Sequence, residues 1–207
     1  MAETKEEILL VKKIVGSIVK RLNNFFGVKP SIHIQIIYSP EEFMFYKGYF
    51  EKWMVGTASK QNLWIFSKRV IKKHTIHKNN CFEKVLRHEL VHIYVNFLSP
   101  FVMIWLNEGI AVFLSEKLSG RLKKLRNQKK ISIDLFKIDK DSDETKLKNY
   151  FYAPCFVEHL VKKAGKQAFL NFLKDIKPSI AINQISKKHF KNGIRQEFKL
   201  WKKEFEK

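Results

Sequence analysis

The chain has 207 residues, 45 % of them hydrophobic and 14 % aromatic, enough to bury a core as one folded unit. Its 40 Lys and Arg against 20 Asp and Glu give a formal charge of +20, which favours anionic partners or substrates and specifies no fold. The two cysteines, Cys81 and Cys155, have no metal-type spacing, which argues against a disulfide framework or a cysteine-ligated zinc site and for a reducing, cytoplasmic setting.

The first residues, Met1 to Glu7, are acidic where a signal peptide would be basic, so no export signal is expected. From Glu6 to Phe26, Ile8, Val11, Ile14, Val15, Ile18, Leu22 and Phe25 recur at helical spacing with lysines opposite, predicting an amphipathic helix that ends before Pro30. Ser31 to Tyr38 alternates as a half-buried strand stopped by Ser39-Pro40. Trp53 to Ser59 and Asn62 to Lys68 read as two more strands with Lys60-Gln61 as a tight turn between them. Two long helices follow, Cys81 to Phe97 and Met103 to Leu118, separated by Pro100. Leu90 to Asn107 is an eighteen-residue stretch without Asp, Glu, Lys or Arg, long enough to be weighed as a membrane span. His92, Asn96 and Pro100 inside it favour two helices and a turn, so no transmembrane segment is expected. After a basic run, Arg121 to Lys130, and an acidic loop, Asp139 to Glu144, come helices at Pro154 to Ala164, Lys166 to Ile176 and Ile194 to Phe205. The last has Ile194, Phe198, Trp201 and Phe205 on one face. With no repeat or linker, the expectation is a single α+β domain over 1–207. Its upper lobe, about 1–97, holds the sheet, and its lower helical lobe is about 98–207.

The chemistry is carried by His88-Glu89-Leu90-Val91-His92. Side chains four apart stack on one face of a helix, so both imidazoles can converge on one metal ion. Glu89 projects one position round the helix, where a general base can reach an attacking water without displacing the metal. Surface His and Glu on an amphipathic helix would give the same letters. However, Val85, Leu86, Leu90, Ile93, Tyr94 and Phe97 make the flanks apolar, and polar groups buried there need a shared partner such as zinc. The metzincin spacing would put a Gly and a third His at 95 and 98, where this chain has Val95 and Leu98.

Sixteen positions after His92 stands Glu108, within Trp105-Leu106-Asn107-Glu108-Gly109-Ile110-Ala111. This segment resembles the W-L-N-E-G-x-A signature of the gluzincin clan of zinc metallopeptidases, which includes aminopeptidase N and, more distantly, thermolysin. The resemblance implies a zincin-like fold, one catalytic Zn²⁺ held by His88, His92 and Glu108, and Glu89 as general base. Tyr150, Phe156, Val157, Leu160 and Gly165 are similar to the clan's later helix, whose leading Tyr steadies the oxyanion. That implies a catalytic role for Tyr150, with Tyr152 the alternative and Pro154 a departure from the pattern. Val55-Gly56-Thr57-Ala58 resembles the edge strand that pairs with substrate backbone, so Gly56, Thr57 and Ala58 are expected to bind substrate. The core also resembles the small minigluzincins, which can be held inactive by their own chain.

The aminopeptidases of the clan resemble one another in a strand whose Glu binds the substrate's free amine. No acidic residue lies between Trp53 and Asn62 here, although Glu51 sits just outside, so endopeptidase action on extended peptides or unfolded segments is the expectation. The expected partner is a peptide or protein substrate, and the sequence leaves the oligomeric state open. The rivals are a nucleic-acid-binding protein and a non-catalytic zinc scaffold. The first rests on the +20 charge alone, with no nucleic-acid motif beside it, so no specific nucleic acid is expected. The Arg121 to Tyr150 connection is expected either to pack as a connector or to gate the cleft, with Ile131, Ile133 and Leu135 alternating as in a strand.

Overall fold

The computed structural model describes residues 2–77, 81–127, 133–136 and 148–205. The protein is α+β, mostly helical with a small three-stranded mixed sheet. It divides into two compact units, Met1–Phe97 and Leu98–Lys207.

The first unit opens with α1 (Ala2–Phe26), whose Val11, Ile14, Ile18, Leu22 and Phe26 are buried. The spacing of three or four residues makes this the core stripe. It matches the stripe expected from sequence at Val11, Ile14, Ile18 and Leu22 and departs from it at the ends: Phe26 is buried and Phe25 packs edge-on against it, while Ile8 is 40 % exposed. Strands β1 (His33–Ile37), β2 (Gly56–Ser59) and β3 (Asn62–Phe66) form a sheet in the order β1-β3-β2. β1 is parallel to the central β3, and β2 is antiparallel to it through the two-residue turn Lys60-Gln61. Trp53 to Val55, expected in the second strand, lies outside it, and the third strand stops at Phe66. Ser67 ends it by accepting the Val70 N–H as the cap of a short helix, α3 (Lys68–His74). The Lys68 N–H is taken by the buried carboxylate of Glu7 on α1, at 2.7 Å. Between β1 and β2 runs α2 (Pro40–Lys47), a helix missed in the sequence reading. Its signals were present: Ser39 caps it, Pro40 opens it, Glu41 and Glu42 fill its first turn, and Gly48 closes it at φ 80°. The unit ends on α4 (Phe82–Leu98), whose Phe82, Leu86, Leu90, Val91, Ile93, Tyr94 and Val95 are all buried.

Among its described residues the second unit has helices joined by turns and no strand. α5 (Ile104–Ser115) and α6 (Ser119–Arg126) lead to a π-helical turn (Lys148–Tyr152) that runs directly into α7 (Ala153–Ala164). Then come α8 (Lys166–Asp175), α9 (Ile182–Ser186) and α10 (Ile194–Lys203). The stripe Ile194, Phe198, Trp201, Phe205 is buried as its spacing predicts, with Phe156 of α7 packed on both Phe198 and Trp201. The eighteen-residue apolar stretch is divided between α4 and α5, and among the described residues no helix is long and apolar enough to cross a membrane.

Residues 133–136 form a turn, with Asp134 Oδ1 accepting the Phe136 N–H, where strand-like alternation was expected. Phe136 packs on Trp105 and Phe198 and carries the Arg195 guanidinium over its face, so this part of the connection belongs to the aromatic core. Ile131 and the acidic residues Asp139, Asp141, Asp143 and Glu144 of the expected gate lie outside the described residues.

α5 and α7 approach so closely that a Cβ on Gly109 would stand 3.0 Å from the Ala153 carbonyl carbon and Cβ. Backbone cannot yield as a side-chain tip would, so Gly109→Ala is expected to lower stability by about 1–3 kcal/mol in urea unfolding. A second expectation concerns pH. Burial holds the His159 imidazole below its ordinary range, opposed by Glu204 and helped by Lys163. A group whose folded-state pKa is depressed contributes stability above its unfolded value, about 6.5, and loses it as pH falls through the folded value. Stability should therefore decline as the pH drops below about 6.5, and His159→Gln should flatten that part of the profile.

Candidate metal centre

Helical periodicity places the first three polar groups. His88, Glu89 and His92 each offer a ligand atom, and these atoms lie within 4.8 Å of one another. The two Nε2 atoms are 3.0 Å apart, with the rings set edge to face at 86° and 4.6 Å between centroids. His92 is buried, while His88 and Glu89 are half-buried at the rim. Zinc bound tetrahedrally at a metal–nitrogen distance of about 2.0–2.1 Å holds two ligand nitrogens about 3.3 Å apart. The imidazole pair thus needs only a small opening to accept such an ion, and nitrogen with carboxylate oxygen is a donor set suited to zinc. All three groups come from α4 alone, so the cluster by itself leaves Glu89 open to either the ligand or the base role.

α4 is held rigidly behind this face. Tyr94, two residues past His92, is fully buried, donates its hydroxyl to Asn23 Oδ1 of α1 at 2.5 Å and stacks on Phe26. Burial raises the pKa of that phenol, which keeps it a donor. On the other side, Gly56 of β2 lies so near α4 that a Cβ there would meet Val85 Cγ1 at 3.4 Å and the Trp64 carbonyl oxygen at 3.1 Å. Val85 is one helical turn before His88, so the edge strand β2 sits on the same helix that carries the imidazoles. The Phe66 N–H bonds the Val55 carbonyl, and with the β2–β3 register this turns the main-chain groups of Gly56 and Ala58 to the outer edge and those of Thr57 inward to β3. Neither contact was read from sequence; a glycine inside a strand was the one available signal for the second. Glu51, the carboxylate nearest this strand in sequence, accepts a hydrogen bond from the Trp53 indole N–H.

Glu108 and Tyr150 belong to the second unit. Glu108 is half-buried on α5, between buried Leu106 and Ile110 and beside Gly109, whose missing side chain lets α7 approach. α5 also packs against the π-helical turn, so that unit brings the helix of Glu108 and the turn of Tyr150 together. Tyr150 is 44 % exposed and Tyr152 only 7 %, which leaves Tyr150 as the tyrosine on the surface of that turn.

No family model matches the chain, and a search among curated proteins finds no match either. The functional reading therefore stands on the site itself.

The imidazole pair makes one measurement direct. The full chain is expected to bind one Zn²⁺, followed by competition with a chromophoric chelator, and to gain about 2.7 kcal/mol of stability when free zinc is one hundred times its dissociation constant. His88→Ala and His92→Ala should each abolish both effects. Unchanged zinc binding in both variants would remove the pair from any metal site.

Proposed function

We propose that the protein is a zinc-dependent peptidase of the gluzincin type, with a zincin-like fold and endopeptidase action on extended peptides or unfolded segments. The observation that carries this reading is the convergence of the His88 and His92 Nε2 atoms, 3.0 Å apart, with the Glu89 carboxylate in the same group. The Trp105 to Ala111 segment supports it from the second unit, with Glu108 as the third ligand. The two cysteines are free thiols, in keeping with a reducing, cytoplasmic setting.

A zinc ion held by His88, His92 and Glu108 would supply Lewis-acid polarisation of the scissile carbonyl and acidify the attacking water. Glu89, one position round α4 from His88 and only half-buried, takes the proton from that water and passes it to the leaving amine nitrogen. The exposed Tyr150 hydroxyl donates to the oxygen on which negative charge develops. At the outer edge of β2, the main-chain groups of Gly56 and Ala58 pair with an extended substrate, while Thr57 holds β2 to β3. Such pairing reads backbone more than side chains, which suits unfolded segments.

The deciding variant is Glu89→Gln. It is expected to keep bound zinc by elemental analysis and to lose turnover of an N-acetylated fluorogenic peptide by about 100- to 10,000-fold. Glu108→Ala should lose the zinc itself. Glu89→Gln with undiminished, chelator-sensitive cleavage would overturn the assignment, and absence of cleavage by the zinc-loaded native chain across a peptide library would leave a zinc scaffold in its place.

A further inference from the structure

Among the described residues the sheet has a second unpaired edge, on β1, two strands away from β2. The His33 N–H bonds the Gln61 carbonyl and the Ser67 N–H bonds the Ile37 carbonyl, so the odd-numbered residues of β1 face β3. Backbone direction alternates along a strand, so Ile34 and Ile36 turn their N–H and C=O groups outward. The next outward N–H, on Tyr38, is taken by Glu42 Oε2 at 2.9 Å, and the other oxygen of that carboxylate accepts from Gln35 Nε2. This closes one end of the edge.

Beside that edge lies an open groove of about 570 Å³. Its floor is Ile32, Ile34 and Ile36, and its wall is the α1 stripe of Ile8, Val11 and Val15. These residues recur at three, four and seven positions on α1, with Val11 also part of the buried stripe and Ile8 and Val15 beside it. Ile8 is 40 % exposed, and Ile34, Ile36 and Val15 are each only half-buried, so the groove presents apolar surface to solvent. Among the described residues lining it, Lys12 is the one that carries a charge.

We propose that this groove is a docking site for an extended segment of another protein, about as long as the five-residue β1, that adds to the sheet as a fourth strand. Three features define that partner. The outward groups of Ile34 and Ile36 require an extended backbone, the isoleucine floor and α1 wall require apolar side chains at alternate positions, and Lys12 requires an acidic side chain among them. A second copy of this chain is a poor occupant, because each copy carries a formal charge of +20. The site is independent of the zinc reading: it uses the opposite edge of the sheet and none of the metal or base residues.

The test is fluorescence anisotropy of the full chain with a fluorescein-labelled probe, acetyl-Asp-Val-Thr-Val-Thr-Val-amide, and a control probe with proline at its third position. Glu89→Gln serves as background so that cleavage cannot consume the probe. Binding of the first probe and not of the control is expected. Ile34→Pro, which removes one outward N–H at a position where an edge strand tolerates proline, should weaken it about tenfold or more. Ile8→Lys, at an exposed wall position, should do the same without depending on how Ile34→Pro folds. Lys12→Glu should reverse the charge preference, so that the probe with Lys in place of Asp now binds better. Failure of the native groove to bind the probe at about 1 mM would overturn the proposal. Affinity unmoved by Ile8→Lys and Lys12→Glu would do so too, since it would trace to the overall charge. A dimer in sedimentation that Ile8→Lys dissolves would overturn it in favour of a second copy.

Discussion

The first unit is organised by a constraint on α4, which must be its central core helix and also carry three polar groups on one face. Leu86, Leu90, Ile93 and Tyr94 bury it, and His88, Glu89 and His92 occupy what remains. Two imidazoles beside such a core are tolerable where they share a partner, because polar groups taken from water without one cost several times what a good hydrogen bond returns. The neighbouring elements fix that face in place. α1 reaches α4 through the Asn23–Tyr94 hydrogen bond and the Phe26 ring, and β2 reaches it through the bare Cα of Gly56 against Val85. A face held from both sides by packed side chains has its side-chain geometry set by that packing.

The second unit solves a similar problem with a different device. Gly109 lets α7 press onto α5 directly beside Glu108, and the π-helical turn that begins this contact carries Tyr150. The extra residue of a π turn re-aims the side chains around it, which is why such turns recur at functional positions. Behind them, Trp105, Phe136, Phe156, Phe198 and Trp201 form a continuous aromatic cluster, so α5 and the π-helical turn rest on a core of large rings. The glycine of the Trp105 to Ala111 segment thus has a steric reason to be there that is independent of any resemblance.

A three-stranded sheet has a high ratio of edge to interior, and its two edges differ in character. β2 is short, lies over α4 and exposes the main chain of Gly56 and Ala58. β1 is bordered by an isoleucine-rich groove with one lysine. Unpaired edges invite pairing, and proteins commonly blunt them with charge or a covering element. On β1 only the Tyr38 end is closed, by Glu42. The central β3, with Leu63, Ile65 and Phe66 fully buried, is what both edges depend on.

The sequence by itself determined what depends on local periodicity and chain chemistry. The four-residue spacing put His88 and His92 on one face once α4 was helical, and the break at Pro100 separated two helices from an apparent membrane span. The spacing of Ile194, Phe198, Trp201 and Phe205 marked a buried face. α2 was legible from Ser39, Pro40, Glu41 and Glu42, but Ser39-Pro40 also marks the end of a strand, and that was the only expectation placed on it. The tertiary structure decided what depends on partners distant in sequence. It made β3 the central strand, which set the outward residues on each edge. It put Phe26 rather than Phe25 into the core at the end of the α1 stripe, where Tyr94 stacks on it, and it folded residues 133–136 into a turn that sets Phe136 against Trp105 and Phe198. Alternation and helical spacing state which side chains share a face, whereas the element that covers the face is chosen by packing, and packing is not written in any local stretch of the chain.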